Sequence, residues 1–500
     1  MFTVAKPYEP RFILQRMKKL SYLWIILLLL TAWGCGNKST GPDPTEEASA
    51  QKQFVWNAMN YWYYWQGNVP ELADDYFSND QDFQTYLKNY RDAEALFNGL
   101  LYAQADDFSF FIDDYEEFEQ SQQGISESFG YEYGLVQLTN SNSIFGYVQY
   151  VLPDSPAEDA GLVRGNIFTQ VDGTQLTVNN YRNLLFGTTS YELGLAEIQN
   201  DTLKETGETV QLQAVTLQEN PIFTTSIIDT NSTKVGYLMY NAFQTNSHDE
   251  LNDAFGNFKS QGIDELVLDL RYNGGGAGIT SQTLAGFISG LDSTNVFAKY
   301  TYNDKRSQYD RTVNIVNEVT VYENGQEQST EPMNQLSLDK LYVLTGRGTA
   351  SASELLINGL KPYMDVVLIG RQTVGKDEGS YTLYDSGEPY FEKPTNPDQK
   401  IAIQPIVLKL VNKNDLDYPD GFVPDYEVNE LNYLESGLSP LGSVDEPLLS
   451  KALEVITGQQ QMAKTTEIGK GFSPGDLIID SRDLDPYGKQ LYLQPPKQLK

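Results

Sequence analysis

Apolar positions change their period along the chain, and the changes divide it. Between residues 51 and 125, Phe54, Ala58, Tyr61, Trp62 and Trp65 recur at helical spacing. "LADDYFSNDQDFQTYLKNY" and "AEALFNGLLYA" continue that pattern, so the stretch reads as helical, with the aromatic stripe as its core. From 126 to 216 the runs shorten to "YGLVQL", "FGYVQYVL" and "NIFTQVDGTQL", which are rich in β-formers. The helical signal among them, "PDSPAEDAG", is closed by Gly161.

Residues 217–457 alternate. "KVGYLMYNAF", "ELVLDL", "LYVLTG" and "DVVLIG" read as strands, and "SHDELNDAFGNFKSQG", "GITSQTLAGFISGL" and "ASELLINGL" as helices. Ser247 is the candidate cap and Gly262 the stop of the first helix. Alternation of this kind predicts an α/β domain with a mostly parallel sheet. The region 295–335, with its "ENGQ" turn signal, reads as inserted hairpins. A helix, "DEPLLSKALEVITG", closes the domain, and a Pro/Gly-rich tail, 458–500, follows.

The N-terminus carries an address. "MKKLSYLWIILLLLTAWGC" places two lysines before an apolar run from Leu20 to Trp33. That run is short against the roughly 20 residues of a spanning helix and fits a secretory signal, with an ordinary signal anchor as the alternative. Its end resembles a bacterial lipobox with Cys35 as the lipidated residue, although Trp33 is unusual there. Residues 1–35 then form a signal peptide and 36–50 a polar tether. The expected location is the cell envelope, outside the cytoplasm, on a lipid anchor.

Composition narrows the chemistry. Lys and Arg number 35 against 68 Asp and Glu, a net charge of −33, which repels nucleic acid and anionic lipid surfaces. Cys35 is the sole cysteine, so no internal disulfide forms. His248 is the sole histidine, so a Ser-His mechanism would have to use it, and a structural zinc site is close to excluded. Its place at a helix start predicts an exposed or locally bonded ring.

The stretch "GTASASELLINGL" crowds Thr349, Ser351 and Ser353 at a helix start. Ser351 with Glu354 fits a capping box. Ser351 also fits a nucleophile, provided a base and an oxyanion site lie nearby. Lys376, in "TVGKDEG", follows by 25 residues after the next strand, so the two loops share one sheet edge. A lysine base must be neutral, which burial can achieve and the neighbouring Asp377 and Glu378 oppose. "DLRYNGGG" brings Gly274 and Gly275 out of a buried strand, able with Ala352 to supply backbone N–H donors to an oxyanion. "GRQTVGKD" also matches a phosphate-loop spacing. Asp377 stands where Ser or Thr is needed, and a strand follows where a helix is needed.

Residues 126–216 resemble a PDZ domain through "SPAEDAGLVRGNIFTQVDG", with Tyr133, Gly134, Leu135 and Val136 at the place of its carboxylate-binding loop. From residue 51 to about 457 the chain resembles the carboxyl-terminal processing peptidases, tail-specific serine proteases, through "DDFSFFI", "DLRYNGGG", "TASASELL", "TVGKDEG" and "GFVPDYEV". The resemblance implies Ser351 as nucleophile, Lys376 as general base, Gly274 or Gly275 with Ala352 as oxyanion hole, Ser353 in support, and no metal or cofactor. It implies protein or peptide substrates taken by their C-termini. Ser380 departs from the family's usual Gln four residues after the lysine, which leaves open an inactive, peptide-binding lipoprotein of the same fold.

Overall fold

The computed structural model describes residues 44–458, 475, 477–483 and 488–495, except 201, 231, 232 and 324. The signal segment, Cys35 and residues 36–43 of the expected tether lie outside the described residues, while 44–50 open the helix Pro44–Trp62.

Three parallel strands organise the α/β part, because each is apolar on both faces and needs cover on both. Glu265–Asp269, Lys340–Thr345 and Asp365–Gly370 lie side by side, with Asp269 opposite Leu344 and Leu344 opposite Ile369. Thr233–Tyr240 extends them in parallel, and Ile222–Thr230 adds the antiparallel edge of a six-stranded mixed sheet. The expected helices are present as His248–Gln261, Gly278–Ser289, Ala352–Leu360 and Pro447–Thr457. Gly262 ends the first of these in the left-handed conformation, φ 64°. Ser247 does not cap it. A preceding 3-10 turn turns the hydroxyl inward, where it donates to the Gln244 carbonyl (2.8 Å).

The inserted hairpins pair as expected, Val296–Tyr302 with Arg311–Asn314 and Glu318–Glu323 with Gln326–Pro332. The first joins a second sheet that also contains Gly276–Ala277, Leu491–Tyr492, Glu378–Ser380 and Ile406–Val411. The aromatic stripe is core: Phe54, Ala58 and Trp62 are buried, and Trp62 packs on Tyr302, Tyr381 and Phe391. The N-terminal helices therefore share one apolar cluster with the α/β sheet.

The β-rich module is a sheet in the order Leu477–Asp480, Tyr131–Gln137, Ile144–Val151, Ile167–Val171, Ser190–Gln199 and Thr202–Gln213. Tyr133, Gly134, Leu135 and Val136 are buried inside the strand Tyr131–Gln137, where a loop was expected. Alternating ladder partners on both sides hold them extended.

A buried charge network ties this module to the α/β sheet. Arg271 donates to Asp269 (2.8 Å) and to both oxygens of Glu446 (2.5 and 2.8 Å), and Arg164 reaches Glu430 (2.9 Å) and Tyr272 (2.6 Å). Burial pushes the Glu446 carboxyl up, but the two guanidinium groups outweigh it and hold it below the usual range. Removing one member of a buried network strands the others. Glu446→Ala should therefore cost about 3–5 kcal/mol, against less than about 1 kcal/mol for Lys299→Ala in an exposed pair. Urea unfolding of both variants checks this, and equal losses would contradict it.

Candidate active site

The three parallel strands release their loops at one edge. Asp269 leads into the glycine run, Thr345 into Ser351, and Gly370 into Lys376. Parallel register alone thus gathers the three candidate groups.

The three hydroxyls at the head of the serine helix have different fates. Thr349 donates to the Leu270 carbonyl (2.7 Å) and Ser353 to the Asn273 carbonyl (3.1 Å). Ser351 Oγ is buried and has no hydrogen-bond partner among the described residues. Ser351 also sits at φ 64°, ψ −112°, a conformation that costs an L-residue about 1–3 kcal/mol and clusters at functional turns. The capping box forms in its glutamate half: Ser351 N–H donates to Glu354 Oε2 (2.8 Å).

Glu354 does more than cap. The same carboxylate accepts the N–H groups of Gly375 (2.6 Å) and Lys376 (2.9 Å) and the Thr373 hydroxyl (2.6 Å). It therefore clamps the lysine loop to the serine turn. The S-x-x-E spacing showed the local bond, while the three from residues 373–376 depend on the neighbouring strand's loop.

Lys376 is 1% exposed, with its ammonium 4.8 Å from the Phe108 ring centroid. Burial lowers its pKa from 10.5 to about 8, against the opposing charges of Glu378, Asp106 and Glu354. The acidic neighbours are occupied elsewhere: Lys409 binds Asp377 (2.8 Å) and Glu378 (2.6 Å). That pairing is invisible in local sequence; Glu378 still opposes the shift, and desolvation outweighs it. Ser380 Oγ is buried without a partner among the described residues and makes no hydrogen bond to Lys376.

The glycine run reaches the serine. A Cβ on Gly275, at φ 114°, would stand 2.8 Å from Ser351 Cβ and 3.0 Å from Ala352 N, so only glycine fits. The N–H of Gly275 is already given to Asn273 Oδ1 (2.9 Å). His248 lies apart from this cluster. It is fully buried and bonded to Thr320 O (2.9 Å) and Thr280 Oγ1 (2.8 Å), both distant in sequence, so its ring is neither exposed nor locally bonded. Burial lowers its pKa to about 4, because the hairpin carrying Thr320 and Tyr322 covers it.

The chain is similar to known proteins. Residues 234–386 match Peptidase family S41 and residues 50–110 match the Peptidase S41 N-terminal domain. A carboxyl-terminal-processing protease of Picosynechococcus is 27% identical over 325 residues, covering 63% of this chain and 68% of that protein. A CtpA-like serine protease of Staphylococcus haemolyticus is 23% identical over 461 residues, 86% of this chain and 81% of its own. The crystal structure of a Bacteroides fragilis protein assigned to the S41 proteases superposes with a TM-score of 0.60 at 29% identity, covering 85% of this chain and 99% of that one. With these matches the chain is a serine-type peptidase. Over residues 234–386 and 50–110 it is similar to peptidase family S41 and its N-terminal domain.

The clamp gives a direct expectation. Glu354→Ala removes the acceptor of three amides, each bond being worth about 1 kcal/mol or more. Hydrogen exchange at Ser351, Gly375 and Lys376 should speed by about tenfold or more, while the helix His248–Gln261 keeps its protection. Unchanged exchange at those three amides would refute the clamp.

Proposed function

We propose that this chain hydrolyses peptide bonds through a Ser351–Lys376 dyad. The observation that carries the reading is a buried, unpartnered serine hydroxyl on a strained turn, clamped beside a lysine that burial brings near neutrality. Neutral Lys376 takes the Ser351 proton as Oγ attacks the substrate carbonyl, then returns it to the leaving amine. The oxyanion is held by the N–H of Ala352, at the head of its helix, with Gly274 as second donor. Gly275 serves by close approach, since its own N–H is spent on Asn273.

Substrates in this reading are polypeptides, taken by C-terminal or unstructured segments, as the name of the Picosynechococcus relative suggests for that protein. The β-rich module, similar to a PDZ domain, would present them by strand addition along Tyr131–Gln137. Cys35 would carry a lipid that holds the enzyme to the cell envelope outside the cytoplasm.

The base assignment fixes the sign of the pH dependence. Lys376 works only when deprotonated, so kcat/KM should rise about tenfold per pH unit below about 8 and level above it. Ser351→Ala and Lys376→Ala should each lower cleavage of an unstructured reporter by at least about 10³-fold while remaining folded. Cleavage that survives Lys376→Ala, or a pH midpoint near that of a free lysine, would refute the dyad. A folded native chain that binds the reporter and never cuts it would leave the inactive peptide-binding reading.

A further inference from the structure

The C-terminal tail has no part in the reaction just proposed, yet it lies where a substrate would. Its first described strand, Leu477–Asp480, adds antiparallel to Tyr131–Gln137, with Leu477 opposite Val136 and Asp480 opposite Gly134. That is the edge assigned above to an incoming peptide. Arg482 then anchors the tail, donating to the Asn241 carbonyl (2.7 Å) and pairing with Glu219 (3.0 Å).

The tail next enters the cleft. Lys376 Nζ donates to the carbonyl of Lys489 (2.9 Å), and Gly276 N–H to the carbonyl of Gln490 (2.7 Å). The strand Leu491–Tyr492 runs parallel between Gly276–Ala277 and Ser380, and Leu493 N–H donates to Ser380 O (3.1 Å). Gln490 O, Ser351 Cβ and Ala352 N all lie within 3.0 Å of the point where a Gly275 Cβ would stand. At Gly274 a Cβ would meet Gly488 O at 2.0 Å. The backbone of the tail is thus as close to the glycine run as atoms permit. With it in place, Ser351 is 0% exposed, and the lysine's hydrogen bond goes to the tail while Ser351 Oγ has none among the described residues.

We propose that residues 477–483 and 488–493 are a built-in occupant of both the peptide-accepting edge and the catalytic cleft, so that the chain is latent until another polypeptide strand displaces its own tail. The inference rests on the Ser351–Lys376 reading of the cleft. The occupant is held by main-chain ladders, which any extended peptide can reproduce, and by two apolar anchors, Leu491 and Leu493. A tethered strand competes at an effective concentration on the order of millimolar, so a substrate must bind well or arrive with a second foothold.

The test uses the full chain, with Leu491→Asp to expel the tail from the cleft and Arg482→Ala to loosen its anchor. Both are checked for folding by thermal unfolding, and the second serves if the first does not fold. Binding is read on a Ser351→Ala background by fluorescence anisotropy of a labelled synthetic peptide of residues 475–495. The tail variants should bind it at least tenfold more tightly than the chain with its native tail. With Ser351 restored, they should cleave an unstructured reporter at least tenfold faster, with the peptide as competitive inhibitor. Folded variants that neither bind more peptide nor cleave faster would overturn the proposal, leaving the tail a structural strand. If tail variants gain binding and no chain cleaves, occupancy stands and the Ser-Lys reading falls.

Discussion

The buried carboxylate of Glu354 is the constraint on which the site depends. It takes donors from the serine turn and from the lysine loop, two segments that the fold brings together only at the sheet edge. Burial alone pushes this carboxyl up, and the donors from Thr373, Ser351, Gly375 and Lys376 work against that. The satisfied network lets Ser351 hold a backbone conformation that an L-residue otherwise avoids. Position and strain therefore have one origin.

Electrostatics around the lysine follow from how carboxylates are apportioned. Asp377 and Glu378 flank Lys376 in sequence, but the strand Ile406–Val411 brings Lys409 between them and takes up much of their charge. Arg271 does the same for Asp269 and Glu446 beneath the glycine run. A chain with a net charge of −33 thus spends a half-buried lysine and a buried arginine on carboxylates near its site. That leaves Lys376 governed chiefly by desolvation.

The parallel strands and their helices are legible because each rests on local periodicity, and the loops of Ser351 and Lys376 because one helix joins their strands. The "TASASELL" hydroxyls were legible as candidates, but which one is free depends on the carbonyls of Leu270 and Asn273, on another strand's loop. His248 is buried rather than exposed or locally bonded because its cover is a hairpin some 70 residues away in sequence. The run "YGLVQL" reads as β-forming, and it is the PDZ resemblance that puts Tyr133–Val136 at a loop; one of their strand partners, Leu477–Asp480, is over 300 residues distant. The tail strands are too short to show a period of their own, so nothing in the sequence marked them as ladder members.

The segment that fills the cleft is part of the same polypeptide as the cleft. Each molecule is therefore made with one blocker for one site, whatever the level of expression. Dilution, secretion or crowding leaves that ratio untouched. The open fraction becomes an internal equilibrium of a single chain, set by the strength of a few ladder hydrogen bonds and two leucines, and it shifts only when a competing strand is near.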